Sequence, residues 1–292
     1  MKEGRIIKGI GGFYYVDYNH DIYECKARGI LRKNKKTPMV GDQVRFSILD
    51  PEKKLGILED ILERKNELIR PPVANVDQAV VVFAITQPEP NLSLLDRFLV
   101  LAESQQLDIV ICFNKIDLLQ KDDYLWMVDI YKNAGYPVLL TSKENNDGIN
   151  KLKEILAGRV TVFAGPSGVG KSTLLNRIQS NIKLQTGEIS VKSERGKHTT
   201  RHVELIPLNQ RGWVVDTPGF SSLKVDFMEE IDLAYYFPEI LQSKGECKFN
   251  SCLHENEPSC LVKKRVEEKE IAAERYESYK KLLEEIRLNR RY

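Results

Sequence analysis

Residues 165–172 read Gly-Pro-Ser-Gly-Val-Gly-Lys-Ser, following an apolar run at 159–164 and preceding a helix-like stretch at 172–179. A strand, a glycine-rich loop and a helix in that order suit the binding of phosphate. Gly165, Gly168 and Gly170 allow close backbone wrapping, while the exposed amides after Pro166, at Ser167 and Val169, and the helix N-terminus hold negative charge. Lys171 is expected to reach the outer phosphates and serve catalysis, and the Ser172 hydroxyl to ligate magnesium, with Thr173 completing the contact. Taken alone, the pattern is also that of a plain glycine-rich turn.

The base is specified elsewhere. Asn114-Lys115-Ile116-Asp117 ends the apolar run at 108–113, where the Asp117 carboxylate can accept two hydrogen bonds from a guanine ring and its exocyclic amine. Adenine would leave that carboxylate badly paired, so the site is expected to take GTP and reject ATP. Thr141-Ser142-Lys143 follows a short strand pattern at 138–140 and is a looser candidate for the loop that backs the guanine. Asp216-Thr217-Pro218-Gly219 ends a strand pattern at 213–215; there Asp216 would hold magnesium through water and the Gly219 amide would meet the terminal phosphate. Between these motifs, the polar stretch 195–201 suits a switch loop in which Thr199 or Thr200 ligates magnesium. Phe220 stands where many GTPases carry the glutamine that orients water, so His198 is the candidate for that role. The bland alternative for His198 is an exposed loop histidine. With Phe220 in that place, a binding switch of negligible turnover is the rival to an enzyme.

The elements that must position these groups follow from periodicity. Five short strand patterns at 5–10, 13–18, 22–28, 43–48 and 56–62 predict an N-terminal barrel of the oligonucleotide-binding type, with an SH3-like barrel as the alternative. From 77 to 164 buried strands alternate with amphipathic helices, predicting a parallel sheet with helical crossovers. Beyond 225 the chain reads helical, ending in one helix over 258–289 whose apolar stripe is expected to pack. The expected domains are 1–67 (barrel), 68–225 (nucleotide-binding α/β) and 226–292 (helical).

Cys247, Cys252, His254 and Cys260 supply three thiols and one imidazole within fourteen residues, enough to close a tetrahedral zinc shell. Four protein ligands leave no open position, so the zinc would be structural. Cys25 and Cys112 lie inside apolar runs and read as core. Lys26, Arg28, Arg32, Lys33, Lys35 and Lys36 form a basic run with no acidic residue, either an RNA-phosphate contact or a solvated face.

The phosphate loop follows the Asn-Lys-x-Asp motif here, the reverse of ordinary small GTPases. A compact α/β domain tolerates such rotation because its chain ends are commonly close. This order, with a barrel before it and a cysteine cluster after it, resembles the circularly permuted GTPases, specifically the ribosome small subunit-dependent GTPase A (RsgA-type) family. The resemblance spans essentially the whole chain. It implies a late assembly factor of the small (30S) ribosomal subunit that binds 16S rRNA and hydrolyses GTP to GDP as it leaves, and it also implies zinc at the cysteine cluster.

Composition sets outer limits. A chain of 292 residues with 42% hydrophobic and 29% charged residues has material for a sizeable core and for more than one domain. Its net charge of +2 leaves any acidic partner to local patches. The longest apolar run, 79–85, is far below the roughly 20 residues that cross a bilayer, and residues 1–12 lack a secretory core. A cytoplasmic monomer without membrane contact is the expectation.

Overall fold

The computed structural model describes residues 1–29, 37–69, 71–179, 203–208, 212–215, 223–225, 227–243 and 245–289. The chain divides into two compact units: 1–78 with 153–163 and 185–221, and 79–152 with 164–184 and 222–292.

In the first unit β1 (Lys2–Ile10), β2 (Phe13–Tyr18), β3 (Asp21–Ala27), β4 (Gln43–Asp50) and β5 (Leu55–Ile61) close a barrel in the order β1-β2-β3-β5-β4. Alternation along the strands sends Ile6, Val16, Cys25, Val44, Phe46 and Leu58 fully inward. Tyr18 and Tyr23 pack their rings on Phe46. The last two strands insert out of sequence, and β3 pairs with β5 in parallel. That crossover decides for the oligonucleotide-binding type of barrel over the SH3-like alternative. A small hairpin of β6 (Glu67–Ile69) and β7 (Pro72–Ala74) follows. The unit also holds β11 (Val160–Ala164, through Phe163), parallel to β13 (Trp213–Val215), and β12 (Leu205–Pro207), antiparallel to β13.

The second unit carries neighbouring strands β8 (Gln78–Ala84), β9 (Asp108–Asn114) and β10 (Val138–Thr141), the last two parallel in the register Thr141↔Asn114. Helix α1 (Leu92–Ser104) is capped by Asn91, whose Oδ1 accepts the Leu94 N–H at 3.0 Å. It buries Leu95, Phe98, Leu99 and Ala102. Helices α2 (Lys121–Asn133) and α3 (Ile149–Leu156) flank β10 in sequence.

The C-terminal part of this unit is helical, but the single helix expected over 258–289 is two, α6 (Leu261–Glu267) and α7 (Ala273–Asn289), after the short α5 (Pro238–Leu241). Lys269 takes a left-handed φ of 62°, and the Glu270 and Ile271 amides both return to the Arg265 carbonyl. Ile271 then buries, so tertiary packing breaks the helix where no glycine or proline announces it. Arg275, wholly buried on α7, pairs with Asp96 of α1 at 2.6 Å and with Glu239 of α5 at 2.7 Å, its guanidinium lying over the Phe237 ring. Tyr131 donates a further hydrogen bond to Asp96. A buried cation between two carboxylates and an aromatic face is thereby fully partnered, which is the condition for tolerating it.

Candidate functional site

Residues 165–172 leave β11 and enter helix α4 (Lys171–Ile178). Two glycines here answer to contacts. A Cβ on Gly165, at φ +133°, would sit 2.1 Å from the Val82 carbonyl oxygen, and one on Gly170, at φ +96°, would sit 2.4 Å from Asn114 Nδ2. The loop is thus pressed against β8 and the end of β9 by backbone approaches only glycine permits.

Asn114 makes the junction. Buried at the end of β9, its Nδ2 donates to the Val169 carbonyl at 2.9 Å and its Oδ1 accepts from Thr141 Oγ1 at 3.0 Å. One amide therefore ties the phosphate loop, the Asn-Lys-x-Asp motif and the Thr141-Ser142-Lys143 loop together. Lys115 takes a left-handed conformation and its ammonium donates to the Gln87 carbonyl. Asp117, in the short 3-10 turn Ile116–Leu118, accepts a 2.5 Å hydrogen bond from Ser142 Oγ, which itself accepts the Glu144 and Asn145 amides. Ser142 is fully buried while Asp117 is exposed, so the carboxylate is oriented from beneath and open above.

Lys171 Nζ donates to the Gly165 and Pro166 carbonyls at 2.8 and 2.6 Å, inside the loop it is expected to serve. Burial pulls its pKa from the ordinary 10.5 to about 8. The folded protein then binds fewer protons than the unfolded chain between those values, so this group's contribution to stability rises with pH there. Phosphate binding favours the ammonium and has the opposite sign. GDP affinity is expected to be level below about pH 7.5 and to fall towards tenfold per pH unit above 8, with Lys171→Met showing no such slope in titrations between pH 7 and 9.

Ser172 and Thr173 lie in the first turn of α4. Strand β13 ends at Val215, one residue before Asp216. Asp216, Gly219, Phe220, His198, Thr199 and Thr200 lie outside the described residues, as do Arg32, Lys33, Lys35 and Lys36 of the basic run. Of that run, Lys26 lies over the Phe13 ring and Arg28 pairs with Glu59 at 2.7 Å. Sequence reasoning missed Arg177, which reaches from α4 to the Lys143 carbonyl and to Asn146 Oδ1, and also the segment at Gln87. Neither carries a motif, since each acts through contacts distant in sequence.

Cys247, Cys252, His254 and Cys260 converge, all buried, with their ligand atoms within 4.8 Å of one another. Sγ–Sγ separations of 4.0 and 3.8 Å are far too long for a disulfide, and the Sγ–Nδ1 separations are 3.6 and 3.5 Å. They match the edges of a tetrahedral shell with zinc-type bond lengths, about 3.8 and 3.6 Å. The loop is held from α7: Tyr276 Oη donates to the His254 carbonyl at 2.7 Å and Tyr279 Oη to that of Leu253 at 2.9 Å. The chemistry is that of a closed metal site. Cys25 and Cys112, by contrast, are isolated core thiols that burial pushes up to about 12.

Comparison with known proteins agrees along the whole chain. The RsgA GTPase family model matches residues 61–226 and the RsgA N-terminal domain model residues 3–57. The small ribosomal subunit biogenesis GTPase RsgA of Alkaliphilus metalliredigens is 57% identical over 292 residues, covering 100% of both chains. That of Clostridium botulinum strain 657 is 51% identical over 291 residues, covering 99% and 98%. Among solved structures, YjeQ from Thermotoga maritima superposes with a TM-score of 0.84 at 37% identity, covering 98% of each chain. YloQ, described as a circularly permuted GTPase, does so at 0.82 with 44% identity, covering 98% of this chain and 95% of its own. With a barrel, a permuted phosphate-loop fold and a helical Cys3His region in one chain, this protein belongs to the RsgA GTPase family and hydrolyses GTP.

Proposed function

We propose that this GTPase acts late in maturation of the small (30S) ribosomal subunit, binding its 16S rRNA and hydrolysing GTP to GDP and phosphate as it is released. The observation that carries the nucleotide part is the Asn114 junction, which joins the phosphate loop and the guanine motif into one buried hydrogen-bonded unit. The ribosomal part draws its support from full-length relatives named for small-subunit biogenesis. In this reading Asp117 pairs with guanine, and Lys115, Ser142 and Lys143 frame it. The 165–173 loop cradles the phosphates. Ser172, Asp216 and Thr199 or Thr200 hold magnesium, which would neutralise charge on the phosphates. Gly219 meets the terminal phosphate. Zinc occupies the Cys247, Cys252, His254 and Cys260 shell as a structural ion. The domains run 1–67, 68–225 and 226–292, and the protein works as a cytoplasmic monomer. Among the described residues no helix is long and apolar enough to cross a membrane.

His198 orients the attacking water, because Phe220 has no group to do so. Single-turnover GTP hydrolysis with and without purified small subunits tests the whole reading. Subunits are expected to raise the rate, and His198→Ala to lower the stimulated rate at least roughly tenfold with nucleotide affinity little changed. Equal rates with and without subunits would remove the ribosomal role; equal stimulated rates for variant and parent would remove His198.

A further inference from the structure

A run of short links leads from an exposed arginine to the carboxylate of the base motif, all of it inside the second unit. Arg177, near the end of α4, donates from Nη1 to Asn146 Oδ1 at 2.8 Å and from Nη2 to the Lys143 carbonyl at 2.5 Å. That carbonyl lies in one peptide plane with the Glu144 N–H, which donates to Ser142 Oγ at 3.1 Å. Ser142 Oγ in turn donates to Asp117 Oδ1 at 2.5 Å. The ends of this loop are fixed without Arg177. The Ser142 N–H donates to the Asp147 carbonyl at 3.2 Å, and a Cβ on Gly148, at φ +68°, would stand 2.0 Å from the Leu140 carbonyl oxygen. The tip, 143–146, is held differently. Among the described residues, the hydrogen bonds that reach it from outside 141–149 are those of Arg177.

We propose that Arg177 is a positioning residue for guanine selectivity. Its fork holds the Lys143–Glu144 peptide, that peptide sets the Ser142 hydroxyl, and the hydroxyl aims the open edge of Asp117. This rests on Asp117 being the group that pairs with guanine. A peptide is rigid and planar, so fixing its oxygen fixes the direction of its N–H. A guanidinium presents its N–H groups in one plane, and gripping a second acceptor on Asn146 stops the tip from turning about the first. Ser142 Oγ accepts the Glu144 and Asn145 amides together, so a shift of the tip would move both donors and let the hydroxyl swing. An exposed contact of this kind adds little to the stability of the fold. Its effect falls on direction. Guanine's ring N–H and exocyclic amine are both met only when the carboxylate is square to them, whereas hypoxanthine, which lacks the amine, asks for one of those bonds alone. The group that reads the base is thereby anchored to α4, the helix that Lys171 opens, by a contact separate from that of Asn114.

The experiment uses the full chain and reads the Kd of GDP and of inosine diphosphate, the ratio of the two being the guanine selectivity. Both carry the same phosphates, so loss of the Arg177 charge as such weakens them alike and leaves the ratio unchanged. Arg177→Met is expected to weaken GDP roughly tenfold and inosine diphosphate about threefold or less, narrowing the ratio at least about threefold. Arg177→Lys, which keeps the charge without the fork, is expected to narrow the ratio too, and Asn146→Asp, which keeps an acceptor for Nη1, to hold it at the parent value. In a Ser142→Ala background, Arg177→Met is expected to have no further effect on the ratio, since both act through one hydroxyl. An unchanged ratio in Arg177→Met, with or without equal weakening of both nucleotides, would overturn the proposal if Asp117→Asn loses the preference for GDP. So would an undiminished Arg177 effect in the Ser142→Ala background. A parent ratio in Asp117→Asn would instead overturn the base assignment beneath it. If Arg177→Met does not fold, Arg177→Lys decides by the same ratio.

Discussion

Replacing Asp117 by Asn is expected to turn a guanine site into one that prefers xanthine. The carboxylate offers only acceptors, and guanine presents two donors, the ring N–H and the exocyclic amine. Ser142 donates to Oδ1 at 2.5 Å and is held by the Glu144 and Asn145 amides, so the open side of the carboxylate is fixed before any base arrives. An amide in its place can keep the Ser142 bond through Oδ1 but turns its NH2 towards guanine's own donors. Two hydrogen bonds to a charged group are lost at about 1.5–3 kcal/mol each, corresponding to a drop in GTP affinity of roughly 10² or more. Xanthine carries a carbonyl where guanine has its amine, and an Asn N–H can donate to it. Titration of parent and Asp117→Asn with GDP and xanthosine diphosphate checks this: GDP should weaken by at least about a hundredfold while the xanthine nucleotide gains. Unchanged GDP affinity would remove Asp117 from the site.

Much of this was legible in the chain because it is local. Glycine spacing at 165–172 and the Asn-Lys-x-Asp tetrapeptide announce backbone geometry within a few residues. Alternation announced the barrel strands, yet the parallel β3–β5 pairing that distinguishes the barrel type had no local signal. What stayed hidden is what the fold brings together from a distance. Asn114 was visible as a base motif, but its bond to Val169, 55 residues away, was not. Arg275 sat in a stretch that reads as an ordinary charged helix, and only the packing of α1 and α5 against it makes it a buried cation. The helix break at Lys269 was missed for the opposite reason: the local pattern is helical throughout, and burial of Ile271 overrides it. The apolar stripe expected to pack includes Tyr276 and Tyr279, and both are buried. Their hydroxyls, which hold the metal-site loop, could be assigned only once the loop's carbonyls were seen to lie beneath them.

Removing the metal is expected to undo the C-terminal region while sparing the nucleotide site. The three thiols and the imidazole crowd within 4.8 Å in a buried shell. Structural zinc contributes on the order of 10–16 kcal/mol in small metal-folded domains, comparable to or above the whole stability of many domains, so the loop should not survive without it. Once it opens, the His254 and Leu253 carbonyls leave Tyr276 and Tyr279, and the Phe237–Tyr279 edge contact loses its support. Helix α7 then retains the Arg275 pairs with Asp96 and Glu239 but not its anchorage on the loop. The hydrogen bonds that shape the nucleotide site, at Asn114, Asp117 and Lys171, involve none of these groups. Elemental analysis of protein purified without added metal should find about one zinc per chain, the stoichiometry of a four-ligand shell. Cys252→Ser should then raise amide exchange across 247–286 while leaving GDP affinity within about twofold, since the described hydrogen bonds of the two sites share no residue. Metal-free protein with native exchange protection in that region would remove the ion from the structure's support, and a large loss of GDP affinity in Cys252→Ser would mean that the two sites are coupled in the ground state.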